Sequence, residues 1–512
     1  MSTTRANNDE ENRPWLVEFR GSKCYIVFVV VFAIFTDIFL YGIVVPVTPT
    51  ALRERAGVLE QDGQRWTSIL LTLYGGGLLA CSPPAGYLAD RTQCRRWPLL
   101  IGLIALAGST ALLCVGTHLG FWIAGRLCQG ASAAVVWTVG LALLVDTVEK
   151  DELGKALGLV GTGMTLGSLG GPLLGGALYE HGGYYSVFGL AFGFIAIDVA
   201  LRLVMIERRD AAKWLNYEGE TPSSVEPTTV SEMVSGPLGT LDCGRHLDWI
   251  EHEIDTTPEN EPKTNASSIH GPPLEGSTAR ELTAETETVS EKRKSAWYTL
   301  CSSCRFVITL WAYFVWGLIL TSCDSVLPLF VEEMFNWKQT AQGLIFIPLT
   351  FPSFFDPVIG CFTDRFPWTR RYVGCAAFVG AVPALVCFRF VQNNSTHDKV
   401  TLCGLLVLLG ICLAAMLAII LVEVSYIVKE KEAKRPTVRG KGGSMALAYG
   451  LLNSSFSAGS LVGPFLAGCL REKVSWGTMG WVLALVSGIS GIPAFLFFGG
   501  CFRKRHEIEA NS

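Results

Sequence analysis

Apolar residues recur along this chain in runs of membrane-spanning length. Six lie near residues 26–49, 67–89, 98–117, 120–145, 156–178 and 184–206; six more lie near 305–331, 340–362, 372–391, 400–428, 444–470 and 476–500. Each offers roughly the 20 residues that a helix needs to cross the hydrocarbon of a bilayer. Within lipid the backbone must satisfy its own polar groups, so runs of this length are helices. Six runs, a polar gap and six more predict an all-α membrane protein of twelve helices in two six-helix halves. Only 17% of residues are charged, 50% are hydrophobic and the mean hydropathy is +0.38. That is too little charge for the surface of a soluble domain, whereas 54 glycines suit close helix contact in lipid.

Charge in the links orients the bundle. The link after the second run carries Arg91, Arg95 and Arg96, and that after the eighth carries Arg365, Arg370 and Arg371. The link after the tenth carries Lys429, Lys431, Lys434, Arg435, Arg439 and Lys441, and Arg503-Lys504-Arg505 follows the twelfth. With twelve alternating spans all four lie on one side, which places both termini in the cytosol. Arg53, Arg55 and Arg65 in the first external link run against the trend. Overlapping glycosylation sequons at Asn393 and Asn394 then fall outside. The expected organisation is a cytosolic tail (1–25), a first bundle (26–206), a central segment (207–303), a second bundle (304–500) and a cytosolic tail (501–512). The central segment is rich in Glu, Thr, Ser, Pro and Gly without a long apolar run, which reads as a disordered cytosolic linker. No cleavable leader is expected, because the first run is long enough to stay in the membrane.

The two halves echo each other. Gly86-Tyr87-Leu88-Ala89-Asp90-Arg91 after the second run reappears as Gly360-Cys361-Phe362-Thr363-Asp364-Arg365 after the eighth. Gly167-Ser168-Leu169-Gly170-Gly171-Pro172, with Gly175 and Gly176, reappears as Gly459-Ser460-Leu461-Val462-Gly463-Pro464 with Gly468. A duplicated bundle can expose a central site to either side by rocking one half on the other. Gly163, Gly167, Gly171 and Gly175 put bare backbone on one helix face, for packing or for gating. Asp90, Arg91, Arg95 and Asp146 share one side and form a candidate latch, with topology alone as the competing reading of the arginines.

Ionisable groups at membrane depth are costly and therefore informative. Asp37 lies mid-span in Phe35-Thr36-Asp37-Ile38-Phe39, where burial disfavours charge and readies a carboxyl for reversible protonation; permanent pairing is the alternative. Arg126 shares a helix face with Gly130 and Ala134 and is suited to coupling or to structural pairing. Asp324 precedes Pro328, and Glu423 lies nearer the cytosolic end, where an interfacial role competes. Asp198, Arg202, Glu332, Glu333 and Arg389 are expected to be ordinary interface residues; Asp356 is deeper and unassigned. Phe35, Phe39, Tyr41, Trp137, Trp311, Trp316 and Phe346 can supply apolar and cation–π contacts to a substrate.

No Walker loop, HExxH site, paired CxxC or Gly-x-Ser-x-Gly element occurs, and the 16 cysteines are scattered without metal-ligand spacing. Neither an enzyme, an ATP-driven pump nor a metal or other cofactor is expected. A membrane sensor with transporter-like architecture is the alternative of a different class.

Gly86, Asp90, Arg91, Arg95 and Arg96 resemble the signature between spans two and three of the major facilitator superfamily of secondary transporters, with Gln93-Cys94 where a turn glycine is usual. Arg126-Leu127-Cys128-Gln129-Gly130 resembles its fourth-span signature. Gly158, Gly167, Gly171, Pro172, Gly175 and Gly176 resemble the fifth-span signature of drug:proton antiporters, fungal multidrug and toxin exporters among them. A narrower similarity to vesicular amine transporters rests on Asp37 with Val44-Val45-Pro46, Asp324 with Leu327-Pro328, and Glu423; Asn453 stands where that family has an acid.

The resemblance implies a twelve-helix major facilitator fold with two pseudo-symmetric halves. It implies proton coupling or substrate binding at Asp37, Arg126, Asp324, Glu423 and Asn453. It implies gating at Asp90, Arg91, Arg95, Asp146, Gly167, Gly171, Pro172, Gly175, Asp364, Arg365, Gly463 and Pro464. The expected partners are a small amphipathic substrate, protons and membrane lipid, with no nucleic acid, and the expected state is a monomer. A proton gradient would drive efflux across the plasma membrane, with a vacuolar or vesicular membrane as the rival location.

Overall fold

The computed structural model describes residues 15–91, 95–148, 152–208, 301–356, 369–434 and 443–499, with 211, 214, 358, 359, 362 and 366. Asp364, Arg365, most of the central segment and the tail 501–512 lie outside them, and Asp90 and Arg91 are described as helical backbone only. The helices follow the apolar runs: α1 (Lys23–Val44), α2 (Gly63–Arg91), α3 (Arg96–Val115), α4 (Leu119–Thr147), α5 (Leu153–Gly182) and α6 (Tyr184–Val204) come first. The second set is α7 (Cys304–Phe335), α8 (Gln339–Leu344), α9 (Thr369–Cys387), α10 (Thr396–Lys434), α11 (Gly443–Lys473) and α12 (Trp476–Phe497). Among the described residues, 10 helices are long and apolar enough to cross a membrane. The chain is an all-α, multi-pass membrane protein.

Two elements depart from the simple pattern. The run 340–362 is not one helix. α8 gives way to a short helix Phe346–Thr350 and a 3-10 turn Phe351–Phe355, because Pro348 and Pro352 lack the amide donors that would continue a helix. α11 is long, yet Asn453, Ser454, Ser455, Ser457 and Ser460 make its middle polar, and it is not among the 10.

Bare backbone sets the packing. A Cβ at Gly163, Gly167, Gly171 or Gly175 of α5 would stand 3.1, 2.9, 2.7 or 2.2 Å from the carbonyl oxygens of Val31, Phe35, Phe39 and Ile43 on α1. Glycines and carbonyls both recur every fourth residue, so the helices touch along a single ridge. The second set repeats the device: Gly459 and Gly463 of α11 would bring a Cβ within 2.3 and 2.5 Å of the carbonyl oxygens of Phe314 and Leu318 on α7. The Ser322 hydroxyl donates to the Gly463 carbonyl at 3.0 Å. The repeated sequence therefore makes a repeated contact.

Polar bonds between the first six helices and the rest gather at the end that carries the α1–α2 and α7–α8 links. Arg53 pairs with Glu332, Gln339 Nε2 donates to Thr50 Oγ1 at 2.8 Å, and the Thr340 amide donates to Glu180 Oε2 at 3.1 Å. The hydroxyls of Ser68 and Ser325 lie 2.8 Å apart, and Arg471 of α11 bonds Gln64 of α2. At the opposite end Arg95 Nε donates to Asp146 Oδ2 at 3.0 Å. Lys23 Nζ donates to Glu152 Oε2 at 2.6 Å, which holds that exposed carboxyl below its ordinary value. These contacts tie first-half helices to one another.

The α1–α5 ridge gives a paired test on one helix. Gly175→Ala drives a methyl into the Ile43 carbonyl and is expected to destabilise by about 1–3 kcal/mol. Gly158, where a Cβ would meet nothing within 4 Å, is expected to gain about 0.5–1 kcal/mol on conversion to Ala. Thermal unfolding of the two purified variants should shift in opposite directions; equal shifts would contradict the ridge.

Candidate functional site

The site starts from the way α2 meets α4. A Cβ at Gly130 would lie 2.0 Å from the Tyr74 carbonyl oxygen, and one at Gly77 would lie 2.3 Å from that of Leu127. This close crossing brings the side chains of Tyr74 and Trp137 to the same carboxylate on α1. Tyr74 Oη donates to Asp37 Oδ2 at 3.3 Å, and Trp137 Nε1 donates to the same oxygen at 3.1 Å. Asp37 is 1% exposed, and its Oδ1 has no hydrogen-bond partner among the described residues. Asp37 is thus a buried carboxyl with two neutral donors on one oxygen and no cation paired with it among the described residues.

One helical turn on, Tyr41 packs against Tyr74 with ring centroids 4.7 Å apart and the rings tilted by 45°. Its hydroxyl donates to Asp324 Oδ2 on α7 at 3.2 Å. This bond joins the two helix sets one residue along α7 from Ser325. Arg126 approaches from α4, with its guanidinium carbon 5.7 Å from the Tyr41 ring centroid. Its Nη1 donates to Gln129 Oε1 at 2.9 Å, and Gln129 Nε2 is anchored on the Leu40 carbonyl at 3.4 Å. Asp37, Arg126 and Asp324 therefore share one polar cluster with Tyr41, Tyr74, Trp137 and Gln129.

Other expected residues lie elsewhere. Glu423 is fully buried in a separate ion cluster. Arg305 donates to it, the Gly499 amide donates to Oε1 at 3.0 Å, and Arg370 Nη1 lies 3.6 Å from Oε2. These bonds fasten the starts of α7 and α9 to α10 and to the chain after α12. Asn453 is nearly buried on α11 with Nδ2 unpartnered among the described residues. Asp198 and Arg202, expected at an interface, form a buried pair at 3.1 Å within α6. Asn393 and Asn394 are exposed in the bend before α10, where the amides of Gln392 and Asn393 bond Asp398. Gly171 and Gly175 line the α1 ridge, Pro172 meets Gly42 of α1, and its carbonyl oxygen lies 2.2 Å from where a Gly343 Cβ would stand on α8.

Tyr74 and Gln129 are the functional candidates that sequence reasoning missed. Tyr41 and Trp137 stood only among general aromatic contacts. The signal was present in part: Tyr41 follows Asp37 by four residues and Gln129 follows Arg126 by three, so each pair shares a helix face.

The family model described as Major Facilitator Superfamily matches residues 27–435 and 335–512. The chain belongs to the Major Facilitator Superfamily. It is 31% identical over 496 residues to the uncharacterized MFS-type transporter C18.02 of Schizosaccharomyces pombe, covering 96% of this chain and 99% of the relative. It is 29% identical to the MFS-type transporter ppzB of Metarhizium rileyi, covering 96% and 98%. Over 30% of the chain it is 33% identical to a probable vesicular acetylcholine transporter-B of Danio rerio, covering 32% of that protein. The crystal structure of the human organic anion transporter MFSD10 (TETRAN) shares the fold with a TM-score of 0.57 at 14% identity, covering 92% of this chain and 99% of that one. The superfamily member is a secondary transporter that moves small molecules across a membrane, and it is not an enzyme. Among the described residues, no group of 3 or more His, Cys, Asp and Glu side chains is arranged to hold a metal ion.

The Tyr41–Asp324 bond is open to a double-mutant cycle of thermal stability. Tyr41→Phe and Asp324→Asn should be non-additive, with a coupling of about 0.5–3 kcal/mol. Additive effects would show that the two helix sets are not joined there.

Proposed function

We propose that this transporter is a proton-coupled antiporter that exports amphipathic small molecules, of the drug, toxin or secondary-metabolite kind, by alternating access. The observation that carries the reading is Asp37: a buried mid-span carboxyl with neutral donors on one oxygen and none on the other. Ionising it where it stands is unfavourable, so loss of its proton is tied to a rearrangement that brings in water or a cation. The bond from Tyr41, on the same helix, to Asp324 gives that rearrangement a route to the second set of helices.

In this reading twelve spans form two pseudo-symmetric halves, with the interrupted α8 as the eighth. The internal repeats and the matching α1–α5 and α7–α11 contacts support it. The basic links support cytosolic termini at the end held by Arg95 and Asp146. The end closed by Arg53–Glu332 then faces outward, where Asn393 and Asn394 are acceptors for glycosylation. The Arg95–Asp146 latch and the α5 glycine ridge act as gates, and a monomer suffices. A plasma-membrane location fits an exporter. A vesicular or vacuolar proton/organic-cation exchanger is the second reading, supported by the partial likeness to the vesicular acetylcholine transporter of Danio rerio.

In intact cells with an imposed proton gradient, expression should produce efflux that collapses with the gradient. Asp37→Asn should abolish that coupling at normal surface expression. Gradient-independent flux, or unchanged coupling in the variant, would rule the mechanism out.

A further inference from the structure

Among the described residues no acid pairs with the central arginine. Arg126 is fully buried. Its Nη1 reaches only the neutral amide oxygen of Gln129, while Nε and Nη2 have no partner among the described residues. The nearby carboxylates are engaged otherwise: Asp37 accepts from Tyr74 and Trp137, and Asp324 accepts from Tyr41. Among the described residues the other buried cations are matched, Arg202 by Asp198 and Arg370 by Glu423. A guanidinium does not shed its proton to escape such a position. An uncompensated buried charge is strongly unfavourable, and the face of Tyr41 at 5.7 Å is a weak substitute for an anion.

We propose that Arg126 recognises an anionic group of the transported molecule, a carboxylate or similar planar oxyanion on an otherwise apolar body. The two unpartnered nitrogens belong to a planar fork whose geometry matches such a group, and Tyr41 and Trp137 supply apolar surface beside it. The inference rests on the transporter reading and narrows its cargo from amphipaths in general to organic anions and zwitterions. It also gives Tyr41 a task. Its ring lies against the guanidinium and its hydroxyl holds Asp324. An anion held by Arg126 would therefore lie beside the tyrosine that donates to Asp324.

The test uses one fluorophore in three charge states: dansylglycine, its methyl ester and dansylcadaverine, titrated by fluorescence against the purified full-length protein in detergent. Dansylglycine should bind, and either esterification or Arg126→Gln should weaken binding by about 10- to 100-fold, the range for loss of a charge-assisted hydrogen bond. Arg126→Lys should restore part of it. Equal affinity for the ester or the cation, or dansylglycine binding that survives Arg126→Gln, would overturn the assignment. If none of the three binds, the unliganded variant decides. A higher Tm for Arg126→Gln than for wild type supports a cation awaiting its anion; a lower Tm shows that the chain already compensates the charge and rejects the proposal. Binding in detergent needs no gradient, so failure of proton-driven export in cells leaves this result standing, and the reverse holds too.

Discussion

The contact of α5 backbone with α1 backbone underlies the rest of this structure. Four glycines meet four carbonyl groups along one ridge, and that fixes the rotation of α1 about its own axis. With one face of α1 held by α5, Asp37 and Tyr41 are left to meet α2, α4 and α7. A second close crossing, Gly77 and Gly130 between α2 and α4, carries Tyr74 and Trp137 to the carboxyl. In a medium as apolar as Leu side chains, such van der Waals fit takes the place that hydrophobic burial holds in water. The polar site is thus a consequence of where side chains are missing.

Buried charge is distributed in two distinct ways. Around Glu423 and in the Asp198–Arg202 pair, acids and bases face each other directly. Such pairs lock neighbouring segments, and separating them is expensive. Around Asp37, Arg126 and Asp324 the charges are interleaved with tyrosine, tryptophan and glutamine and do not neutralise one another. The first arrangement holds shape. The second leaves valence unmet, which on the proposed reading a proton or a solute supplies.

Much of the fold was legible because lipid imposes a single period and length on any spanning segment; the runs around α1 to α7 and α9 to α12 translate directly into helices. The broken stretch after α8 was less so, since Pro348 and Pro352 matter through the donors they lack and not through hydropathy. The ionisable members of the site stood out by rarity. Glu423 stood out equally, but nothing in one dimension tells that Arg305 and Arg370, far away in sequence, converge on it. Tyr74 and Gln129 were hidden for the opposite reason: uncharged polar residues are common in such helices, and only their partners give them meaning.

The contacts that close one end of the bundle have a consequence for how the protein senses its surroundings. Arg53, Glu332 and Glu180 are only partly buried, and Glu333, which Arg471 grips, is well exposed. Dissolved ions compete for such pairs, with a screening length near 8 Å at physiological ionic strength. The clasp is therefore weaker in brine than in dilute medium, while the glycine ridges beneath it are indifferent to salt. On the proposed alternating-access reading, the balance between closed and parted forms becomes a property of the bathing fluid as well as of the solute carried.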